Sequence, residues 1–321
     1  AMFALAKPGD TILAATGMPY DTLRTAIGIN GPVHGSLKFY GINYAQVDMT
    51  NDGEPDYKAI AAAASRPEIS AVMVQRSRGY ADRKALSSEE IGRICRIVKD
   101  VNPKAKLMVD NCYGEFTETL EPSHLGADII AGSLIKNPGG GLAPTGGYIA
   151  GTRELVEKAA TRLTTPGIGG ECGSSLGNNR LLFQGLFMAP HVVAQALKTA
   201  VFCAGMMEEL GLESSPRVED ERYDIIQMVK LGSPENMKRF CLGIQAGAPV
   251  DSYVTPEPWA MPGYDCPVIM AAGSFIQGSS IELSADGPMR EPYIAYMQGG
   301  LTYESGKLGI MMAVSAMLEQ K

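Results

Sequence analysis

The sequence is poor in the residues that build metal centres and disulfide frameworks. Among 321 residues there are three histidines and six cysteines. The cysteines are widely scattered and form neither a CxxC pair nor a Cys/His ligand spacing; they are Cys95, Cys112, Cys172, Cys203, Cys241 and Cys266. No metal site and no disulfide framework is therefore indicated. Reduced thiols in a cytoplasmic enzyme are the expected state.

The chain also lacks a basic surface run, a leader and a long apolar stretch. Its net charge is −7 and it contains no run of Lys and Arg, which argues against nucleic acid or an anionic membrane as a primary partner. Two uncharged runs, 181–197 and 266–281, contain proline and are too short for a spanning helix. The N-terminus has no basic region followed by an apolar stretch, so no signal peptide is expected. These absences predict a cytoplasmic location.

What the sequence does contain, from residue 10 to about 150, is an alternation of strand and helix patterns. The stretch 87–101 reads as a helix, with Ser87 and Glu90 forming a capping box in front of apolar residues at helical spacing. Continuous apolar strands between helices predict a mostly parallel sheet covered on both faces. The predicted strands are TILAA (11–15), YAQVDM (44–49), AVMVQ (71–75), KLMVD (106–110), DIIAGS (128–133) and GYIAG (147–151).

The rest of the chain predicts a second, smaller domain of α+β composition. A long apolar helix pattern from about 175 to 211 joins the two parts. We place the large domain at 1–205 and the small domain at 206–321. The small-domain elements predicted are the strands VIMAA (268–272), SSIELS (279–284) and YIAYMQ (293–298) and the helices 234–245 and 304–319.

A carboxylate and a lysine follow two neighbouring predicted strands. Asp110 ends the strand in VDNCYGEF, and Lys136 lies in SLIKNPGGG, just after the next strand. In such sheets ligands bind at the carboxyl ends of the strands. Pyridoxal phosphate forms an imine with a lysine, and a carboxylate keeps its ring nitrogen protonated. Ser133 could donate to the phosphate, and the glycines of NPGGG would let the backbone come close.

Each of these features also has an ordinary structural interpretation. An Asp that ends a strand is most often a helix N-cap or a turn former. A Lys in a glycine-rich loop is commonly solvated, and NPGGG lacks the GxxxxGK[ST] pattern of a nucleotide P-loop. The combination of Asp110 and Lys136 at adjacent strand ends is therefore what points to the cofactor.

Several longer stretches resemble the Cys/Met-metabolism pyridoxal-phosphate enzymes of fold type I, which include cystathionine γ-synthase and methionine γ-lyase. They are GDTILAATGMPYDTL, VDMTNDG, VDNCYGEF, GADIIAGSLIKNPGGGLAPTGGYIAGT and QGGLTYESGKLGI. In detail they are most similar to the methionine γ-lyase-like branch, often labelled aluminium resistance protein. The resemblance covers nearly the whole chain. It implies an α/β fold, a fold type I PLP-dependent transferase-like large domain with a mostly parallel sheet plus a smaller C-terminal α+β domain.

The resemblance also implies roles for individual residues. Lys136 matches the Schiff-base lysine, and Asp110 matches the partner of the pyridinium nitrogen. Ser133 matches the phosphate-binding serine. Tyr20 matches the tyrosine that stacks on the cofactor and takes part in proton transfer. Arg290 is the candidate for the small-domain arginine that binds the substrate carboxylate, although an exposed arginine before Glu-Pro is an equally good interpretation.

The sequence departs from the family pattern at three places. Ile135 stands where better-known members often have Thr, which removes one phosphate donor. QRSRGY (75–80) replaces an asparagine-rich motif, and its Gln75, Arg76 and Arg78 could meet a phosphate or a substrate carboxylate. Arg78 is retained as a candidate substrate-binding residue. Family members also carry a longer N-terminal segment with a phosphate-binding Gly-Thr loop, so we expect such a segment to precede AMFALAKPGD.

The activity implied is that of a PLP-dependent carbon–sulfur lyase, acting on a sulfur-containing amino acid by β- or γ-elimination. Two alternatives remain open: a non-catalytic protein of this fold in aluminium or other stress tolerance, and a cofactor-free lyase that forms a Schiff base on Lys136. The family resemblance implies a homo-oligomer, a dimer or tetramer with active sites at the dimer seam. The glycine-rich stretch 167–180 with Glu171 either serves that seam or only leads into the long helix.

Overall fold

The computed structural model describes residues 1–31, 33–173 and 177–319, and the chain divides into two compact units. The first unit consists of Ala1–Cys112, Glu118–Gly132 and Gly147–Gly177. The second consists of Tyr113–Thr117, Ser133–Gly146 and Asn178–Lys321. The sequence predicts a boundary between two folding domains at residues 205 and 206. The division into compact units does not test that boundary, so it stays a prediction.

The first unit contains a mostly parallel six-stranded sheet, as the sequence predicts. The strand order is β2-β1-β3-β4-β5-β6, and the four pairs from β2 to β5 are parallel. In β4, Leu107, Met108 and Val109 are all buried, which is why the strand is a continuous apolar run. The strands are β1 (Thr11–Ala14), β2 (Asn43–Gln46), β3 (Ile69–Gln75), β4 (Lys106–Asp110), β5 (Ile129–Ser133) and β6 (Gly147–Gly151).

Five helices accompany this sheet in the described part of the first unit. The predicted capping box starts one of them: Ser87 Oγ accepts from the Glu90 N–H at 3.1 Å, and the Glu90 carboxylate accepts from the Ser87 N–H at 2.8 Å. Behind the cap, Ile91, Ile94 and Val98 are fully buried in the core. The helices are α1 (Met2–Leu5), α2 (Asp21–Ile27), α3 (Tyr57–Ala64), α4 (Ser88–Val101) and α5 (Arg153–Leu163).

The described part of the second unit contains an antiparallel five-stranded sheet and three α-helices. The strand order is β7-β8-β11-β10-β9, and every pair is antiparallel. Its core includes Phe240, Ile244 and Ile310 from two of the helices. The elements are α6 (Asn179–Glu209), β7 (Ser214–Ser215), β8 (Gln227–Lys230), α7 (Pro234–Ala246), β9 (Val268–Ala271), β10 (Ser284–Pro288), β11 (Ile294–Gln298) and α8 (Tyr303–Leu318).

The predicted strand SSIELS (279–284) is wrong, because β10 begins only at Ser284. The stretch before it is held by Glu282, whose carboxylate accepts from the N–H groups of Phe275 at 2.8 Å and Ile276 at 3.0 Å. Burial raises the pKa of the Glu282 carboxyl, and these two donors oppose the shift. Ile281 and Leu283 are buried on either side of Glu282, so their apolar side chains belong to a buried bend rather than to a strand face.

The long helix predicted from about 175 to 211 is present as α6, which is longer than the uncharged run 181–197. It spans 31 residues, and by length and composition alone it could cross a membrane. Of its most apolar 18-residue stretch, 39% is buried inside the protein. A core helix of a water-soluble protein meets the same criterion, so this feature alone is weak evidence. The cytoplasmic location stays a prediction.

The glycines of NPGGG do allow close backbone approach, but the described neighbours are parts of the second unit itself. A Cβ atom on Gly139 would lie 1.6 Å from the Leu134 carbonyl oxygen. One on Gly140 would lie 2.4 Å from the carbonyl oxygen of Gly185, which belongs to α6. In return, a Cβ on Gly185 would lie 2.2 Å from the Gly139 carbonyl oxygen. The glycines therefore let this turn pack directly on α6.

Replacing Gly139 should consequently destabilise the protein. We expect Gly139→Ala to lower the free energy of unfolding by about 3 kcal/mol, since the new methyl group overlaps backbone that cannot move aside cheaply. Gly170→Ala is the control, because a Cβ there meets no atom within 4 Å. Urea unfolding of the two variants measures the difference. Equal midpoints would contradict this account of the turn.

Candidate active site

Lys136 lies between strand β5 and a short 3₁₀ turn, Asn137–Gly139. The turn is closed by the Gly139 N–H, which donates to the Lys136 carbonyl oxygen at 3.1 Å. Pro138 in its first positions suits such a turn, because its φ is already restricted. The side chain of Lys136 is half-buried, and its Nζ lies 4.2 Å from the centre of the Tyr113 ring. The lysine is therefore not simply solvated.

Ser133 ends β5, three residues before the lysine. Its Oγ accepts a hydrogen bond from the Ile135 N–H at 3.2 Å. This bond uses a lone pair of the hydroxyl oxygen and leaves the hydroxyl hydrogen able to donate, as a phosphate contact requires. The Ile135 carbonyl oxygen in turn accepts from the Ser280 N–H at 3.2 Å. Both the N–H and the carbonyl oxygen of Ile135 are thus hydrogen-bonded, which anchors the segment 133–136.

Asp110 closes strand β4 and forms a turn of the kind expected for such a residue. Its Oδ1 accepts from the Cys112 N–H at 3.2 Å, while its Oδ2 accepts no hydrogen bond within the part of the chain that the structure describes. In the sheet it lies opposite Gln75 of β3 on one side and Ala131 of β5 on the other. The turn interpretation is therefore correct, and it leaves one carboxylate oxygen for another task.

Tyr20 lies at the N-cap of α2 and is brought close to the same part of the first unit through Gln75. The Tyr20 N–H donates to Gln75 Oε1 at 3.2 Å, and Gln75 Nε2 donates to the Ser77 carbonyl oxygen at 3.1 Å. Gln75 is also the register partner of Asp110. Tyr20 is 38% exposed. The structure thus groups Tyr20, Gln75 and Asp110.

Arg76 serves the interior of the first unit rather than a ligand. Its side chain is fully buried and forms ion pairs with Glu118 and, at 3.3 Å, with Glu121. It also donates to Asn111 Oδ1 at 2.8 Å. Glu118 further accepts from the N–H and hydroxyl of Ser88, the first residue of α4. The expectation that Arg76 could meet a phosphate or a substrate carboxylate is therefore not supported.

The two arginines proposed for the substrate have different environments. Arg78 is only 2% exposed, in the segment after β3 of the first unit. Arg290 lies in the connection between β10 and β11 of the second unit, where its half-exposed side chain pairs with Asp265 at 3.5 Å. That geometry is the exposed interpretation that the sequence allowed for Arg290. A substrate role for either residue stays a prediction.

Among residues 1–31, 33–173 and 177–319, no group of three or more His, Cys, Asp or Glu is placed to hold a metal ion. Burial raises the pKa of the Cys95 and Cys203 thiols to about 12, which makes them poor nucleophiles. Residues 174–176 of the stretch 167–180 lie outside the described residues, so its role at a dimer seam stays a prediction.

Comparison with known proteins decides the family. The model of a family described as methionine gamma-lyase matches residues 1–318 of the chain. The chain belongs to the methionine gamma-lyase family. The resemblance stated from the sequence is therefore confirmed, and so is the fold type I architecture.

The relatives of this methionine gamma-lyase family member include proteins linked to aluminum resistance. The uncharacterized protein YnbB of Bacillus subtilis is 51% identical over all of this chain and 76% of its own length. A carbon–sulfur lyase involved in aluminum resistance from Clostridium novyi is 52% identical, with a TM-score of 0.93 over 98% of this chain and 74% of its own. A Clostridium acetobutylicum protein, described as a proposed cystathionine beta-lyase involved in aluminum resistance, is 49% identical, with a TM-score of 0.94 over 99% and 74%.

More distant structures share the fold alone. A pyridoxal-5'-phosphate-dependent protein of Escherichia coli has a TM-score of 0.61 at 16% identity, covering 98% of this chain and 77% of its own. The family and the named neighbours together place the chain among lyases in general.

Two residues that contact the Lys136 segment are not predicted from the sequence. Tyr113 has a positive φ of 71° in the segment after β4, and its ring contacts Lys136. Asn137 is fully buried, and its Nδ2 donates to the carbonyl oxygens of Tyr113 and Glu115, both at 2.9 Å. In the sequence, Tyr113 directly follows VDNC and Asn137 directly follows Lys136. This proximity is the only indication of their role, and no motif spacing marks either residue.

The buried Arg76 network makes a testable difference to stability. We expect Arg76→Met to lower the free energy of unfolding by about 3–5 kcal/mol, because Glu118 and Glu121 lose the charge that compensates them. Arg96→Met is the matched control, since its pair with Glu89 is exposed and contributes at most about 1 kcal/mol. Chemical denaturation of both variants measures these values. A loss of less than 1 kcal/mol for Arg76→Met would show that the network is dispensable.

Proposed function

We propose that this chain is a pyridoxal-phosphate-dependent carbon–sulfur lyase that acts on a sulfur-containing amino acid by β- or γ-elimination. Family membership and the carbon–sulfur lyase of Clostridium novyi support the reaction class. The observation that carries the proposal is the half-buried amine of Lys136, held in a turn after a sheet strand with its Nζ on the ring of Tyr113.

The side chains present suit this cofactor in chemical type. It needs an amine for its carbonyl carbon, a carboxylate for its ring nitrogen and a hydrogen-bond donor for its phosphate. Lys136 supplies an amine, Asp110 has a carboxylate oxygen that is not engaged by the described residues, and Ser133 has a hydroxyl hydrogen to donate. Few hydrogen-bond donors are available for the phosphate, because Ile135 has no hydroxyl and the glycines of the turn pack on α6.

The proposed mechanism gives a task to each candidate residue. When bound, pyridoxal phosphate withdraws electrons from the α-carbon of the amino acid. Lys136 Nζ would hold the cofactor and then take the α-proton as general base. Asp110 would keep a proton on the ring nitrogen through its carboxylate. The Tyr20 hydroxyl would give a proton to the departing sulfur, and Arg78 and Arg290 remain the candidates for the substrate carboxylate.

We also propose that the protein is a homo-oligomer, a dimer or a tetramer. The support is a group of large apolar side chains exposed on the first half of α6, since surfaces of this kind commonly mark contacts with other chains. These are Leu181, Phe183, Leu186 and Phe187, exposed by 41% to 83%.

The first experiment determines whether the cofactor binds and to which lysine. The purified protein is mixed with pyridoxal phosphate, its near-visible absorption is recorded, and the adduct is fixed with borohydride before peptide mapping. We expect the cofactor mass on the peptide that contains Lys136. Lys136→Ala should lose both the chromophore and the turnover, because no amine remains to hold the cofactor or to take the α-proton. Lys158→Ala is the control, since that lysine is exposed and paired with Glu154 on α5.

Other results would favour the alternatives. If the protein turns over an amino acid without the cofactor and only Lys136→Ala abolishes this activity, it is a cofactor-free Schiff-base lyase. If it binds no cofactor and cleaves no sulfur-containing amino acid, it is a non-catalytic member of the fold. Wild-type turnover by Lys136→Ala would overturn the assignment of the lysine.

Asp110→Asn separates the role in chemistry from the role in structure. The amide oxygen of Asn can still accept from the Cys112 N–H, so the turn should persist. We expect cofactor binding to change little, whereas turnover should fall by about 10²- to 10⁴-fold because the amide carries no charge to hold the ring proton. The control is Asp56→Asn at the N-cap of α3, where Asn is an equally good cap. Unchanged turnover of Asp110→Asn would remove the carboxylate from the mechanism.

A further inference from the structure

The amine of Lys136 rests on an aromatic face within the second unit. Its Nζ lies 4.2 Å from the centre of the Tyr113 ring. A lysine ammonium within about 6 Å of a ring centre is attracted by the negative face of the ring. The contact thus favours the charged form of the amine at one defined position.

Tyr113 is held by hydrogen bonds to both its backbone carbonyl oxygen and its side-chain hydroxyl. The Tyr113 carbonyl oxygen accepts from Asn137 Nδ2 at 2.9 Å and from the Ile225 N–H at 3.2 Å. The Tyr113 hydroxyl donates to Ser280 Oγ at 3.4 Å. The backbone φ of 71° is uncommon for a residue with a side chain, so its surroundings must impose it.

One of these anchors comes from the residue that follows the lysine. Asn137 is fully buried, and its amide group bridges the carbonyl oxygens of Tyr113 and Glu115. The segment that carries the amine therefore also holds the segment that carries the ring. A displacement of one segment would therefore displace the other.

We propose that Tyr113 is a positioning residue for Lys136, one that holds its amine while it is not bonded to the cofactor. This inference rests on the proposed function. In each turnover the amine is released, takes a proton from the α-carbon onto Nζ and must then pass that proton on. The ring stabilises the ammonium during this interval and keeps it at one place, and it takes no part in bond making itself.

The test compares variants that keep or remove the aromatic face. Tyr113→Phe keeps the ring and loses only the bond to Ser280. Tyr113→Asn removes the ring and suits the positive φ, while Tyr113→Met keeps apolar bulk without an aromatic face. Tyr293→Asn is the matched control, because Tyr293 is also a tyrosine at positive φ, 58°, and packs on the core of the second unit.

The first readout is the reactivity of Lys136 in the full chain freed of cofactor. Acetic anhydride is added in trace amounts, and acylation of Lys136 is measured by peptide mass relative to the exposed Lys158. Since the ring holds the ammonium form, its removal should accelerate acylation of Lys136 about three- to tenfold in Tyr113→Asn and Tyr113→Met. Tyr113→Phe and Tyr293→Asn should stay within about twofold of wild type. Equal rates in all five proteins would overturn the proposal.

The second readout separates this inference from the proposed function. In the loaded enzyme, Tyr113→Met should lower kcat more than it changes KM, and Tyr113→Phe should restore the wild-type kcat. Loss of kcat in Tyr113→Phe as well would assign the effect to the hydroxyl and overturn the role of the ring. If borohydride fixes no cofactor on Lys136 in the wild type, the proposed function fails. The acylation rates would then still decide whether Tyr113 holds the amine.

Discussion

Backbone-to-backbone packing of the glycine turn on α6 is the constraint on which the Lys136 segment depends. Gly139, Gly140 and Gly185 approach so closely that a Cβ atom on any of them would overlap a carbonyl oxygen. This packing fixes the turn that follows Lys136, and the turn positions Asn137 in the interior, where its amide reaches Tyr113. The backbone position of Lys136 therefore depends on three residues that lack a side chain.

Polar residues at the carboxyl ends of β3 and β4 have divided tasks. Arg76 follows β3 and is neutralised by Glu118 and Glu121, so its charge stabilises the interior. Asp110 ends β4 and uses one oxygen for its turn, and its other oxygen accepts no hydrogen bond from the described residues. Neighbouring positions in one sheet thus carry a structural charge and a candidate catalytic charge. Their partners, rather than their residue types, distinguish the two.

Much of the first unit could be predicted from sequence because its signals are local. Strand β4 and the capping box of α4 have the predicted positions, since an apolar run and a Ser-x-x-Glu pattern act within a few residues. The failures come from partners far along the chain. Arg76 is buried by carboxylates about forty residues later, and SSIELS folds as a turn around Glu282. Tyr113 gains its role only through Asn137 and Ser280, which no local pattern links to it.

The contrast between Arg76 and Lys136 gives a physical reason for an aromatic partner at the candidate site. Removing one partner of a buried ion pair costs about 3–5 kcal/mol, so a cation held in that way is strongly tied to its place, as Arg76 is. A ring attracts an ammonium by about 0.5–2 kcal/mol. An interaction of this size can place the amine of Lys136 without trapping it, because it costs little free energy to break. In the proposed mechanism the amine of Lys136 leaves and returns in every turnover, and a partner of the second kind, such as Tyr113, allows that.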